Sequence, residues 1–145
     1  MLTGTTGTTP PDFRAQFASS PRGARLARHQ AVRRMEEWGH ARSSDASCAV
    51  ALVVGELTAN AVQHAHTLGR TFGLRLALEE TAGLVRVEVS DAAADRRPPV
   101  VPPSACPDGE SGRGLFLVDV LAASWGWELR RPLGKTVWAE LRLGT

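Results

Sequence analysis

The sequence predicts an α+β fold, a two-layer sandwich in which helices cover one face of a mostly antiparallel sheet. Three observations lead there. Residues 71–79 (Phe72, Leu74, Leu76 and Leu78 against Gly73, Arg75 and Ala77) and residues 84–91 both alternate with period two. The four residues Glu80-Thr81-Ala82-Gly83 join them as a turn, so the two form a β-hairpin. A second strand pair, Trp125 to Leu129 and Thr136 to Leu141, closes around Pro132-Leu133-Gly134. Hairpins make antiparallel neighbours, and the helical segments between them must then gather on one face.

The elements follow in chain order. Residues 1–12 are rich in Thr, Gly and Pro and read as a disordered leader, leaving 13–145 as a single domain. Phe13 to Phe17 suits a short edge strand. Ser20-Pro21 opens a helix, with Ser as N-cap and Pro at the first helical position. Ala24, Ala27, Ala31, Met35 and Trp38 supply its buried stripe, and Gly39 ends it. Ser43-Ser44-Asp45 caps a second helix over about 46–65, whose core face is Val50, Val54, Leu57 and Ala61. After the first hairpin, five of the nine prolines (Pro98, Pro99, Pro102, Pro103, Pro107) crowd into ten residues. Gly109, Gly112 and Gly114 follow, and a helix of about ten residues starts near Gly114.

Composition narrows the functional classes. A chain of 145 residues with 43% apolar and 22% charged residues supports one core. The net charge of +2 is too mild to suggest nucleic acid, and no helix-turn-helix pattern is present. No uninterrupted run of 18 apolar residues argues for a membrane span, and the N-terminus has no basic and apolar signal segment, so a cytoplasmic location is expected. Cys48 and Cys106 are expected as free thiols. Residues 1–42 hold seven arginines against Asp12, Glu36 and Glu37, which makes either a solvated helix face or a docking face for an acidic partner.

Four local features can carry chemistry. Glu56 and Asn60 lie one helical turn apart at the flank of the apolar stripe. A carboxylate there can act as a general base, and a carboxamide oxygen suits Mg²⁺, which takes hard ligands and retains waters. Asp91 ends an apolar strand, where its carboxylate can accept from an exocyclic amine. Gly112, Arg113 and Gly114 open a helix, where free amides and the helix dipole favour an anion. Thr136 begins a late strand that could bring its hydroxyl near Asp91. Each feature also has a plain structural reading: a polar helix flank, a turn-forming Asp, a loop, a strand residue. The Gly134-Lys135-Thr136 run is not a P-loop, because the first glycine of that motif would fall on Leu129 and a strand follows instead of a helix. Trp125, Trp127 and Trp138 are expected in the core. His64 and His66 point to different faces of a helix and make a poor metal pair.

The order of these features, Glu-x-x-x-Asn on a helix, Asp after a strand, a glycine-rich lid over about 92–113 and Thr on a late strand, resembles the Bergerat ATP-binding fold of histidine kinases, gyrase B and MutL. Its small single domain is most similar to the anti-sigma-factor serine kinases of partner-switching transcriptional regulation. The resemblance covers about residues 13 to 143 and is carried best by Glu56-Leu57-Thr58-Ala59-Asn60-Ala61-Val62-Gln63-His64-Ala65 and Gly112-Arg113-Gly114-Leu115-Phe116-Leu117-Val118. It implies ATP and Mg²⁺ as ligands. It implies that Asn60 coordinates Mg²⁺, that Glu56 is the general base on a partner's serine and that Asp91 bonds the adenine amino group with help from Thr136. Gly112, Arg113 and Gly114 would cradle the phosphates. It implies a sigma factor or an anti-sigma antagonist as partner. The exposed first helix and the short edge strand leave room for a homodimer. The sequence departs from the family's Asp-x-Gly-x-Gly: it reads Asp91-Ala92-Ala93-Ala94-Asp95. The alternative is therefore a non-catalytic regulatory binding protein on the same scaffold.

Overall fold

A computed structural model describes residues 11–64, 70–91, 110–129 and 134–144. The described residues form five strands and three α-helices: β1 (Asp12–Ala18), α1 (Pro21–Glu37), α2 (Asp45–His64), β2 (Thr71–Glu79), β3 (Leu84–Asp91), α3 (Glu110–Leu121), β4 (Ser124–Leu129) and β5 (Lys135–Arg142). The sheet order is β1-β2-β3-β5-β4, and every neighbouring pair is antiparallel. This is the two-layer α+β architecture expected from the hairpins. Residues 1–10 and most of the proline-rich segment lie outside the described residues, as do Cys106 and residues 130–133; Asp12, expected in the leader, instead opens β1 opposite Ala77.

Local chemistry explains the element ends. Ser20 caps α1 by accepting from the Gly23 amide at 3.0 Å, and Pro21 fills the first turn where no amide partner is needed. Gly39 follows α1 at φ +96°. Ser44 caps α2 through the Ser47 amide at 3.1 Å. The β2–β3 hairpin closes in a single 3-10 turn over Glu80–Ala82 ending on Gly83, as its sequence suggested.

The core lies between the sheet and the helices. Val85, Val87 and Val89 of β3 and Leu74, Leu76 and Leu78 of β2 face Val50, Val53, Val54, Leu57 and Ala61 of α2. By length and composition α2 could cross a membrane, but here its apolar face is packed into this core. The buried stripe of α1 is Gly23, Ala27, Ala31 and Met35. Gly23 takes the place expected for Ala24 because the first turn of α1 presses onto β1. A Cβ at Gly23 would overlap the Ala18 carbonyl oxygen. The Arg34 guanidinium lies over the Phe13 ring at 4.5 Å and ties α1 to β1 a second time.

The other face of the sheet carries a charge ladder. Arg75 bridges Asp12 on β1 (2.9 Å) and Glu88 on β3 (3.0 Å), and Arg86 bridges Glu88 (2.7 Å) and Glu140 on β5 (3.0 Å). Trp138 belongs to this face and not to the expected core: it sits under the Arg86 guanidinium at 4.4 Å and across Gly126. Even-numbered residues of β5 point away from the helices, which is the reason. Trp125 and Trp127, on β4, do pack against the core.

Two outcomes test this packing. Gly23→Ala should destabilise the chain by about 1–3 kcal/mol, the usual scale for overpacking, read as a lowered urea midpoint at unchanged slope. Asp12 is held below its ordinary value of 3.8, chiefly by its hydrogen bond from Arg75. Its contribution is therefore present above the unfolded pKa and is lost as pH falls through the lower folded one. Being part-exposed, it is worth on the order of 0.5–1 kcal/mol. Asp12→Asn should lower stability at neutral pH by that amount and flatten the acid limb of a stability profile below about pH 4.

Candidate functional site

Topology gathers the chemical residues at one end of the sandwich. The C-terminal end of α2 leads to the start of β2, and Gly73 on β2 pairs with Ser90 at the end of β3. Asn60 on the last turns of α2 therefore lies at the same end as Asp91. After α3 the chain enters β4 at Ser124, opposite Glu140, which pairs with Arg86 near the start of β3. The C-terminus of α3 is thus at the far end, and its twelve residues, about 18 Å of helix, return its N-terminus toward Asp91.

On α2, Glu56 and Asn60 are half-buried beside the stripe of Val53, Val54, Leu57 and Ala61. They flank the core as the helical spacing predicts. Between them Thr58 is buried, and its hydroxyl donates back to the Val54 carbonyl at 2.7 Å. That satisfies the hydroxyl within the helix and leaves Glu56 and Asn60 as the polar side chains of this wall.

The helix after the proline-rich segment begins at Glu110, four residues before the expected start. Residues 110–113, expected at the end of the lid, are helical; residues 92–109 lie outside the described residues. Glu110 at the helix start is favoured by the dipole, and each glycine costs only about 1 kcal/mol in a helix. Burial of Leu115 and Val118 offsets that cost. Gly112 thus falls among the first three residues, whose amides have no partner within the helix. The amide of a fourth helical residue bonds back to the residue before the helix, as Ala24 of α1 and Cys48 of α2 do, so Arg113 and Gly114 have their amides committed and the expectation that all three offer amides to a phosphate is narrowed to Gly112.

Asp91 does end β3 facing the helical layer, 4% exposed. Its partner is the finding that the sequence did not anticipate. The β3–β5 register sets Asp91 directly opposite Lys135, which is 3% exposed, and the Lys135 Nζ stands 3.3 Å from each Asp91 carboxylate oxygen. Gly134, at φ +106°, turns the chain into this position in a backbone conformation that side chains rarely adopt. Thr136 is not beside Asp91. It pairs with Ser90, and the two hydroxyls meet at 2.8 Å on the opposite face of the sheet. The signal was available in the alternation of 135–141: Val137, Ala139 and Leu141 face the core, so Lys135 must and Thr136 cannot.

Metal ligation is limited. Among the described residues no group of three or more His, Cys, Asp or Glu side chains could hold an ion. The Asn60 side-chain oxygen suits a Mg²⁺ that would take phosphate oxygens and waters as its remaining ligands. A groove of about 620 Å³ exists elsewhere, between the start of α2, the end of α3 and the end of β5. Asp45, Cys48, Leu52, Val120 and Arg142 line it, and it is at the opposite end of the sandwich from Asp91.

With this geometry in hand, the comparisons with known proteins define the class. Residues 17–141 match the family described as the histidine kinase-like ATPase domain, and the chain belongs to that family. Membership implies an ATP-binding domain. Among solved structures, the chain is similar to the crystal structure of the RsbU and RsbW domains of Rv1364c from Mycobacterium tuberculosis, with a TM-score of 0.64 and 19% identity. The similarity covers 91% of this chain and 32% of that one, and it is a likeness of fold. No curated protein sequence matches the chain.

The buried pair makes a stability prediction. Asp91→Ala leaves the Lys135 ammonium buried without its carboxylate and should cost about 3–5 kcal/mol, whereas the double substitution Asp91→Leu with Lys135→Met should recover most of that loss. Urea unfolding of the two variants beside the parent chain measures both.

Proposed function

We propose that the chain is an ATP- and Mg²⁺-dependent protein serine kinase that regulates a sigma factor or its anti-sigma antagonist in the cytoplasm. One observation carries this reading: a carboxylate and a carboxamide on α2, a strand-end carboxylate and the amino end of a glycine-containing helix converge at one end of a histidine kinase-like ATPase domain. The similarity of fold to a structure containing an RsbW domain agrees with the regulatory part.

Each residue has a distinct task. Asp91 accepts a hydrogen bond from the amino group of the base. The first amides of α3, up to Gly112, receive phosphate oxygens along the helix dipole. Asn60 would hold Mg²⁺ through its side-chain oxygen, and the ion would supply charge neutralisation on the phosphates. Glu56, one turn earlier, takes the proton from a serine hydroxyl of the partner as that oxygen attacks. Phosphoryl transfer depends mainly on positioning and charge neutralisation, so this short set suffices. The exposed arginines in the first half of α1, Arg22, Arg25 and Arg28, offer an acidic partner its contact.

A second reading is favoured by the Asp91–Lys135 pair: a regulatory binding protein that holds its partner without phosphorylating it. Labelled ATP, Mg²⁺ and the antagonist protein separate the two. The kinase reading expects transfer to serine, reduced at least a hundredfold by Glu56→Ala with ATP binding retained, and Mg²⁺-dependent ATP binding lost in Asn60→Ala. Partner capture with no transfer in the parent chain would support the second reading.

A further inference from the structure

The Asp91–Lys135 pair is a buried ion pair placed at the point assigned to base recognition. An ionised carboxylate can only accept, and the inner position between its two oxygens is the one from which a single donor engages both. The Lys135 ammonium holds that position, equidistant at 3.3 Å from each oxygen. A charge-assisted bond is roughly twice as strong as a neutral one, so the ammonium outcompetes the neutral amino group of a base for the same carboxylate. The distance is longer than the roughly 2.7–2.9 Å of a tight charge-assisted bond. Lysine is a point charge on a flexible four-carbon stem and can withdraw without moving β5. Core stability does not require the pair, because well-packed apolar residues usually serve as well or better.

We propose that Lys135 is a built-in competitor for the base-recognising carboxylate, so that an adenine nucleotide binds this chain only by displacing the ammonium from Asp91. The proposal rests on the reading of this end of the sandwich as an adenine-nucleotide site. It identifies Lys135 as the residue that sets nucleotide affinity. With an uncharged residue in place of Lys135, Asp91 is a buried carboxylate that lacks this ammonium, and the amino group of adenine becomes a more favourable partner. Inosine triphosphate carries an oxo group where ATP carries its amino group and gives the carboxylate no such donor.

The test is calorimetric titration of Mg²⁺·ATP and Mg²⁺·ITP into the full chain, Lys135→Met and Lys135→Gln, with melting curves taken on each. Lys135→Gln keeps an uncharged donor beside the carboxylate and is the variant that decides if Lys135→Met does not fold. The proposal expects both variants to melt below the parent chain without nucleotide. It expects ATP to bind at least tenfold more tightly to Lys135→Met than to the parent, with a smaller gain for Lys135→Gln and none for ITP. ATP binding equally or more weakly to both variants overturns the proposal while leaving the nucleotide site standing. An equal gain for ITP overturns it too, since the carboxylate then does not read the amino group. Absence of binding of either nucleotide to all three proteins at millimolar concentration overturns the proposal together with the nucleotide reading beneath it.

Discussion

The antiparallel register of β3 on β5 couples the core of this molecule to its site. Val85, Val87 and Val89 face the helical layer opposite Leu141, Ala139 and Val137, and the same alternation carries Asp91 and Lys135 into that layer. Ser90 and Thr136 are sent to the other face with Arg86, Trp138 and Glu140. A slip of one residue would bury the charge ladder and expose the valines, so the hydrophobic pattern holds the register. The identity of the residue facing Asp91 is thus decided by core packing several residues away.

Two helices complete what the register begins. α2 presents its apolar stripe to the centre of the sheet, and its flank then carries Glu56 and Asn60 to the edge of the core without burying them fully. α3 brings its amino end to the same end of the sandwich because its carboxyl end is tied to β4, where Trp125 donates to Asp119 at 2.9 Å. The outer face of the sheet needs no helical cover, since its polar side chains pair across the strands in one continuous ladder.

Much of this was legible in the residues, and the gaps have physical causes. Period-two alternation located β2 and β3 to the residue, and Ser20-Pro21 and Ser44 marked two helix starts correctly. Gly112 and Gly114 were misleading because glycine disfavours a helix only weakly, and the apolar run from Leu115 outweighs it. Thr136 and Trp138 were misplaced for one common reason: the polarity of a single residue was weighed above the alternation of the strand that carries it. Lys135 was passed over as part of a rejected phosphate-loop pattern. Its pairing with Asp91 depends on a strand register between residues 44 apart in sequence, which local pattern does not reveal.

The most direct examination is a crystal structure of the full chain with Mg²⁺ and a non-hydrolysable ATP analogue. The account predicts the amino group of the base on Asp91 with the Lys135 ammonium withdrawn, phosphate oxygens at the first amides of α3, and the metal on the Asn60 side chain. A bound nucleotide with its base away from Asp91, or with the Asp91–Lys135 pair still closed, would contradict it.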